Sequence, residues 1–129
     1  MPTTVNPSSN LIMNNLFDPV PLVLYPSEAM LLSEHLAKLG INAEQTRPYA
    51  PFSHFVLYDW YRSKFLAWAL RTRKRHPKKT YAIPGLPVGI ALFLLLELRQ
   101  NTNKHILLRN VENQLCGLLM NRDLINFDE

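Results

Sequence analysis

The chain has 129 residues, of which 47% are hydrophobic, and its 14 Lys or Arg against 10 Asp or Glu give a formal net charge of +4. That hydrophobic fraction suffices for one packed domain and excludes wholesale disorder. The single Cys116 excludes an internal disulfide and a thiolate metal cluster, a pattern typical of a reducing compartment.

Residues 1–19 are predicted to form a flexible N-terminal arm, followed by a single helical domain over residues 20–129. The arm is rich in Pro, Ser and Asn, and its few apolar residues follow no helical or strand period. Segments of this kind stay mobile unless they dock on a partner or on their own domain. The arm also lacks the basic region and the apolar run of a secretory signal.

The first predicted elements are a short edge strand and a helix. The apolar run at 21–25 lies between prolines, which confine such a strand to a sheet edge. Ser27 is a good helix N-cap, and the apolar spacing that follows predicts a helix over 27–39 with Gly40 as its stop. The weak alternation at 41–46 leaves a second strand open.

Three further helices are predicted. The longest covers 54–75 and ends before Pro77, which cannot continue a helix. Pro87 fits the first position of a helix over 87–100, and an apolar stripe predicts the last helix over 104–120. The fold class is therefore mainly α, a compact bundle of about four helices, with the apolar helix 87–100 at its centre.

The apolar run 82–98 raises the question of a membrane span. Prolines and glycines interrupt its first part, and the uninterrupted stretch 88–96 is far shorter than the roughly 20 residues needed to cross a bilayer. A buried core helix is therefore favoured. Membrane association through 71–98 is the minority alternative.

The positive charge is concentrated in one segment. Between Trp60 and Leu96 there are eight of the 14 Lys or Arg and no Asp or Glu, so the rest of the chain carries six basic residues and all 10 acidic ones. Such a segment repels itself, and polyanions bind it by releasing condensed counterions. The eight cations are Arg62, Lys64, Arg71, Arg73, Lys74, Arg75, Lys78 and Lys79.

Aromatic residues accompany the cations on helix 54–75. On a helical wheel, one stripe has the spacing of a buried face; it contains Tyr58, Tyr61, Phe65 and Trp68. Trp60 lies off this stripe and is therefore a candidate for an exposed group that stacks on bases. Tyr81, which follows the basic cluster, is the second candidate. The predicted nucleic-acid site consists of the eight cations with these two aromatic residues.

No catalytic or metal motif is found. The four histidines lack the spacing of metal ligands, and there is no glycine-rich phosphate loop and no nucleophile elbow. Glu97 lies one turn from the end of its predicted helix, which favours an exposed edge over a buried general base. The sequence therefore predicts neither an enzyme nor a cofactor.

In size, helical content and the basic stripe 62–79, the chain resembles the small helical subunits of CRISPR effector complexes. This resemblance implies a non-catalytic subunit of a larger nucleoprotein assembly, with other protein subunits as partners and the phosphate backbone of DNA or RNA as ligand. The alternative is a protein-interaction adaptor or inhibitor that docks the basic segment on an acidic partner. The expected location is the cytoplasm, or the nucleus for a eukaryotic or viral chain, since such a cluster serves as a nuclear localisation signal.

Overall fold

The computed structural model describes residues 16–125, so most of the predicted arm at 1–19 lies outside the described residues. The described part holds four long helices and a two-stranded antiparallel sheet, which confirms the predicted mainly helical bundle with a short edge strand. Helix α2 has three consecutive parts, the middle one being a π-helical turn. The elements are β1 (Val23–Leu24), α1 (Pro26–Thr46), α2 (Phe52–Trp60, Tyr61–Phe65 and Leu66–Thr72), β2 (Tyr81–Ala82), α3 (Val88–Gln100) and α4 (Ile106–Met120).

Helix α1 begins at Pro26, one residue earlier than predicted. Proline suits the first position of a helix because its missing N–H would have no intrahelical partner there. Glu28 then accepts a hydrogen bond from the backbone N–H of Tyr25 at 2.9 Å. The carboxylate of Glu28, rather than Ser27, therefore supplies the side-chain contact that starts the helix.

Gly40 lies inside α1 and does not end it. The helix continues through 41–46, so the predicted stop at Gly40 is wrong and the open strand at 41–46 is excluded. An ideal Cβ on Gly40 would lie 2.0 Å from Cδ1 of Tyr58 on α2. Gly40 is needed because the two helices approach too closely there for any side chain.

Helix α1, rather than α3, is the central helix. It packs against α2, α4 and β1, and it buries nine residues where α3 buries four. Leu96 of α3 is 50% exposed, so the helix has one face in solvent although leucines surround it. The predicted central position of helix 87–100 is therefore wrong. Among residues 16–125, no helix is both long and apolar enough to span a bilayer.

The sheet ties the segment before α1 to the segment after the basic cluster. Val23 lies opposite Ala82 and Leu24 opposite Tyr81. The pairing extends beyond the strands, because Ile83 N–H donates to the Leu22 carbonyl at 3.0 Å. The residues that follow the basic cluster are thus fixed to the core.

The other edge of β1 is satisfied by a side chain. Gln114 of α4 accepts from Val23 N–H at 2.9 Å through Oε1 and donates to the Val23 carbonyl at 2.8 Å through Nε2. An unpaired strand edge exposes backbone donors and acceptors that can pair with another chain. Gln114 therefore closes the two-stranded sheet on this side.

We expect Gly40→Ala to lower the free energy of unfolding by about 1–3 kcal/mol, because the new methyl overlaps the Tyr58 ring. Gly117→Ala is the matched control: Gly117 lies on an exposed position of α4 with open space around it. That change should raise the free energy of unfolding by up to ~1 kcal/mol through helix propensity. Urea denaturation measures both, and stabilisation by both variants would contradict the close approach at Gly40.

Candidate nucleic-acid interface

The basic segment 62–79 covers the second half of α2 and the turn that follows it. All eight predicted cations are exposed. The ion pairs formed among residues 16–125 involve other basic groups, and no carboxylate of that range neutralises any of the eight. Burial, with a smaller contribution from neighbouring Tyr58, raises the pKa of Tyr61 above the ordinary value of a phenol, which is already neutral at pH 7.

The cluster at 71–79 lies on a hydrogen-bonded turn. Helix α2 ends at Thr72, three residues earlier than predicted. The backbone continues to bond, since Arg73 N–H donates to the Ala69 carbonyl at 3.0 Å and Arg75 N–H to the Thr72 carbonyl at 2.9 Å. Lys78 N–H donates to His76 Nδ1 at 3.1 Å. The cations therefore project from a defined turn at a helix C-terminus, where the helix dipole favours positive charge.

Tyr81 belongs to the cluster, but one face of its ring is occupied. The guanidinium carbon of Arg75 lies 4.7 Å from the centroid of the Tyr81 ring, a cation–π contact. Tyr81 is half-buried within β2. The structure thus brings Tyr81 to the predicted surface, where it holds Arg75 in place.

Trp60 is buried, with 6% of its surface exposed, so the predicted exposed stacking position is wrong. The cause is the π-helical turn, in which Leu66 N–H donates to the Tyr61 carbonyl five residues back. Side chains five residues apart then share a face, and Trp60 packs on Phe65 with ring centroids 5.0 Å apart and planes inclined by 29°. A wheel with a constant period of 3.6 residues places these two rings on different sides.

The same turn borders a pocket of about 370 Å³. Its wall combines an indole, an apolar loop between β2 and α3, and a cation of the basic segment. The lining residues are Trp60, Lys64, Pro84, Gly85 and Pro87. The sequence does not reveal this pocket, because the residues of α2 and those of the loop that line it lie at least twenty positions apart along the chain.

A second polar site lies at the other end of α2. Glu97 Oε2 is 2.9 Å from His35 Nε2 and Glu97 Oε1 is 3.1 Å from His54 Nε2. The Glu97 side chain is only 11% exposed, so its predicted exposed position is wrong: histidines from α1 and α2 cover it. With both oxygens in use, the carboxylate links three helices.

This histidine–carboxylate link is separate from the basic segment. His54 and Arg71 are about 25 Å apart along α2, at 1.5 Å per residue. Among residues 16–125 no group of three or more His, Cys, Asp or Glu is arranged to hold a metal ion. The basic segment with its pocket is therefore the candidate site for ligand binding.

No family model matches the chain, and no curated protein or solved structure matches it either. Any function must therefore be argued from the chemistry of the chain's own residues.

We expect Glu97→Ala to lower the free energy of unfolding by about 1–3 kcal/mol, because it removes the hydrogen-bond partner of two half-buried imidazoles. Glu44→Ala is the control, since it breaks an exposed ion pair with Arg47 and should cost less than ~0.5 kcal/mol. Chemical denaturation at neutral pH measures both. Equal, small losses would show that the Glu97 contacts do not stabilise the fold.

Proposed function

We propose that this protein binds the phosphate backbone of nucleic acid through the basic segment 62–79. The observation that carries the proposal is the exposure of eight cations on a folded surface that no carboxylate of residues 16–125 neutralises. A helix C-terminus needs one or two cations to complement its dipole, and this surface has many more. Phosphate groups of a polyanion would screen the remaining repulsion and release their counterions on binding.

The spread of the cations favours a polymer over a small anion. Arg62 and Arg71 are about 13 Å apart along α2, and the turn extends the series to Lys79. One phosphate or carboxylate cannot contact groups so far apart, whereas successive phosphates of a strand can. Four of the eight are arginines, whose planar guanidinium groups bind phosphate oxygens in pairs.

The proposed role is structural rather than catalytic. Backbone contacts position a nucleic acid without reading its sequence, and the eight cations are of the kind that contact phosphates. Together with the small helical fold, this supports a non-catalytic subunit of a larger nucleoprotein assembly, of the kind represented by small subunits of CRISPR effector complexes. Such a role would place the protein in the cytoplasm, or in the nucleus of a eukaryotic or virus-infected cell.

The second candidate function is that of a protein-interaction adaptor, and a specific feature favours it. Tyr49 in the connection between α1 and α2 is 89% exposed, and Phe52 at the first position of α2 is 77% exposed. Ile41, nearby in sequence, is 54% exposed. Exposed aromatic residues are typical of surfaces that contact another protein. An adaptor would dock the basic segment on an acidic protein and would bind random nucleic acid weakly.

The test compares two double variants that each remove two positive charges. Arg73→Gln with Lys74→Gln alters the cluster, whereas Lys38→Gln with Arg109→Gln alters exposed cations elsewhere. Binding to a labelled random strand is measured between about 50 and 300 mM salt. We expect the cluster variant alone to lose affinity, and the slope of log affinity against log salt to fall by about 2, because two phosphate contacts are lost.

Thermal unfolding of both variants completes the test. The altered side chains are exposed, so both transitions should stay within a few degrees of that of the unchanged protein. Equal losses of affinity in the two variants would show a general charge effect without a defined surface. Absence of binding by the unchanged protein at the lowest salt concentration would favour the adaptor.

A further inference from the structure

The pocket beside the basic segment has the chemistry of a nucleotide site. We propose that it binds one unpaired base of a single-stranded nucleic acid, with the adjoining phosphate bound by Lys64. This inference rests on the proposed function, because the basic segment supplies the rest of the strand's binding energy. It adds a preference for single strands that phosphate contacts alone do not provide.

The walls of the pocket suit a planar, largely apolar group. Trp60 is 6% exposed and packs on Phe65 with ring centroids 5.0 Å apart, so the wall includes only the small accessible part of its indole, which is held in a fixed position. Pro84 and Pro87, both exposed, contribute apolar rings to the lining. The volume of about 370 Å³ lies at the lower end of the range for small-molecule pockets and suits one ring system with part of its sugar.

Lys64 determines the charge of the occupant. It is the one charged residue among those that line the pocket, and its side chain is exposed. An uncharged apolar ligand would form no ion pair with the ammonium group of Lys64. A nucleotide would place its ring in the pocket and its phosphate near that group. Arg71 follows roughly 10 Å further along α2, so the next phosphates of the same strand meet the cluster.

The pocket is formed in advance of binding. Gly85 has a φ of +63°, the left-handed conformation that a Pro-Gly turn requires and that other residues rarely adopt. The loop is anchored on both sides of this turn, because Ile83 N–H donates to the Leu22 carbonyl and the Leu86 carbonyl accepts from Val20 N–H at 2.8 Å. A preformed site loses little conformational entropy when it binds its ligand.

A duplex cannot use this pocket without breaking a base pair. Its bases are stacked and paired inside the helix, and extrusion of one base costs a few kcal/mol. A single strand has bases free to enter. The pocket therefore distinguishes an unpaired base from a paired one by access, without reading its identity.

The experiment compares two strands that carry the same phosphates. A labelled strand of fifteen thymidine nucleotides and a strand of fifteen abasic residues are titrated with the full chain at about 100 mM salt. Burial of one base against the apolar lining of the pocket should make the thymidine strand bind roughly tenfold more tightly than the abasic strand. Any affinity common to both strands comes from phosphate contacts.

Tryptophan fluorescence locates the base. Trp68→Phe leaves Trp60 as the sole tryptophan, and Trp60→Phe leaves Trp68, which is buried and is not among the residues that line the pocket. The thymidine strand should quench the fluorescence of Trp68→Phe and leave that of Trp60→Phe unchanged, and the abasic strand should quench neither. The strand comparison with the unchanged protein does not depend on the folding of these variants.

The outcomes separate the two proposals. Equal affinity for both strands, with salt dependence, overturns the base pocket and leaves the phosphate-binding function standing. Quenching of Trp68 instead of Trp60 overturns the proposed position of the base. Failure of both strands to bind at about 50 mM salt overturns both proposals.

Discussion

The π-helical turn Tyr61–Phe65 determines which side chains of α2 share a face, and so which of them are buried and which are exposed. A regular α-helix would separate Trp60 from Phe65 by more than a third of a turn, whereas the π turn stacks them in the core. Lys64 remains exposed within the same turn, beside the indole. The stacked aromatic rings thus fix both the core and the pocket at the start of the basic segment.

The elements that follow from local periodicity were predictable, and those that depend on distant contacts were not. Apolar stripes at helical spacing predicted the helices 27–39 and 104–120, because burial of one face has a period that a sequence displays. Prolines at their ends delimited the helices 54–75 and 87–100. The role of Gly40 could not be predicted from the sequence, since glycine both ends helices and permits close helix packing. The contact with Tyr58 of α2 shows that close packing is its role here. For Glu97 the deciding partners, His35 and His54, lie more than forty residues away along the chain.

For the candidate site too, one part could be predicted from the sequence and another could not. Charge is a property of composition, so the eight cations and their exposure could be predicted from the sequence. The pocket could not, because it combines the π turn of α2 with the Pro84–Gly85 turn, whose loop is held to the core by the pairing of β1 with β2. Two-residue strands carry too little alternation to reveal such a pairing.

The histidine–carboxylate link and the basic cluster 71–79 lie at opposite ends of α2. At one end of α2 the carboxylate of Glu97 is used by two histidines, and the exposed Tyr49 and Phe52 lie near the same end in sequence. At the other end, the cations have no carboxylate of residues 16–125 to pair with, and repulsion among them opposes folding without aiding the core. The eight cations and the exposed aromatic residues therefore occupy separate parts of the surface. A protein bound to Tyr49 and Phe52 would leave the cations accessible, whereas a protein bound to the basic segment would cover them.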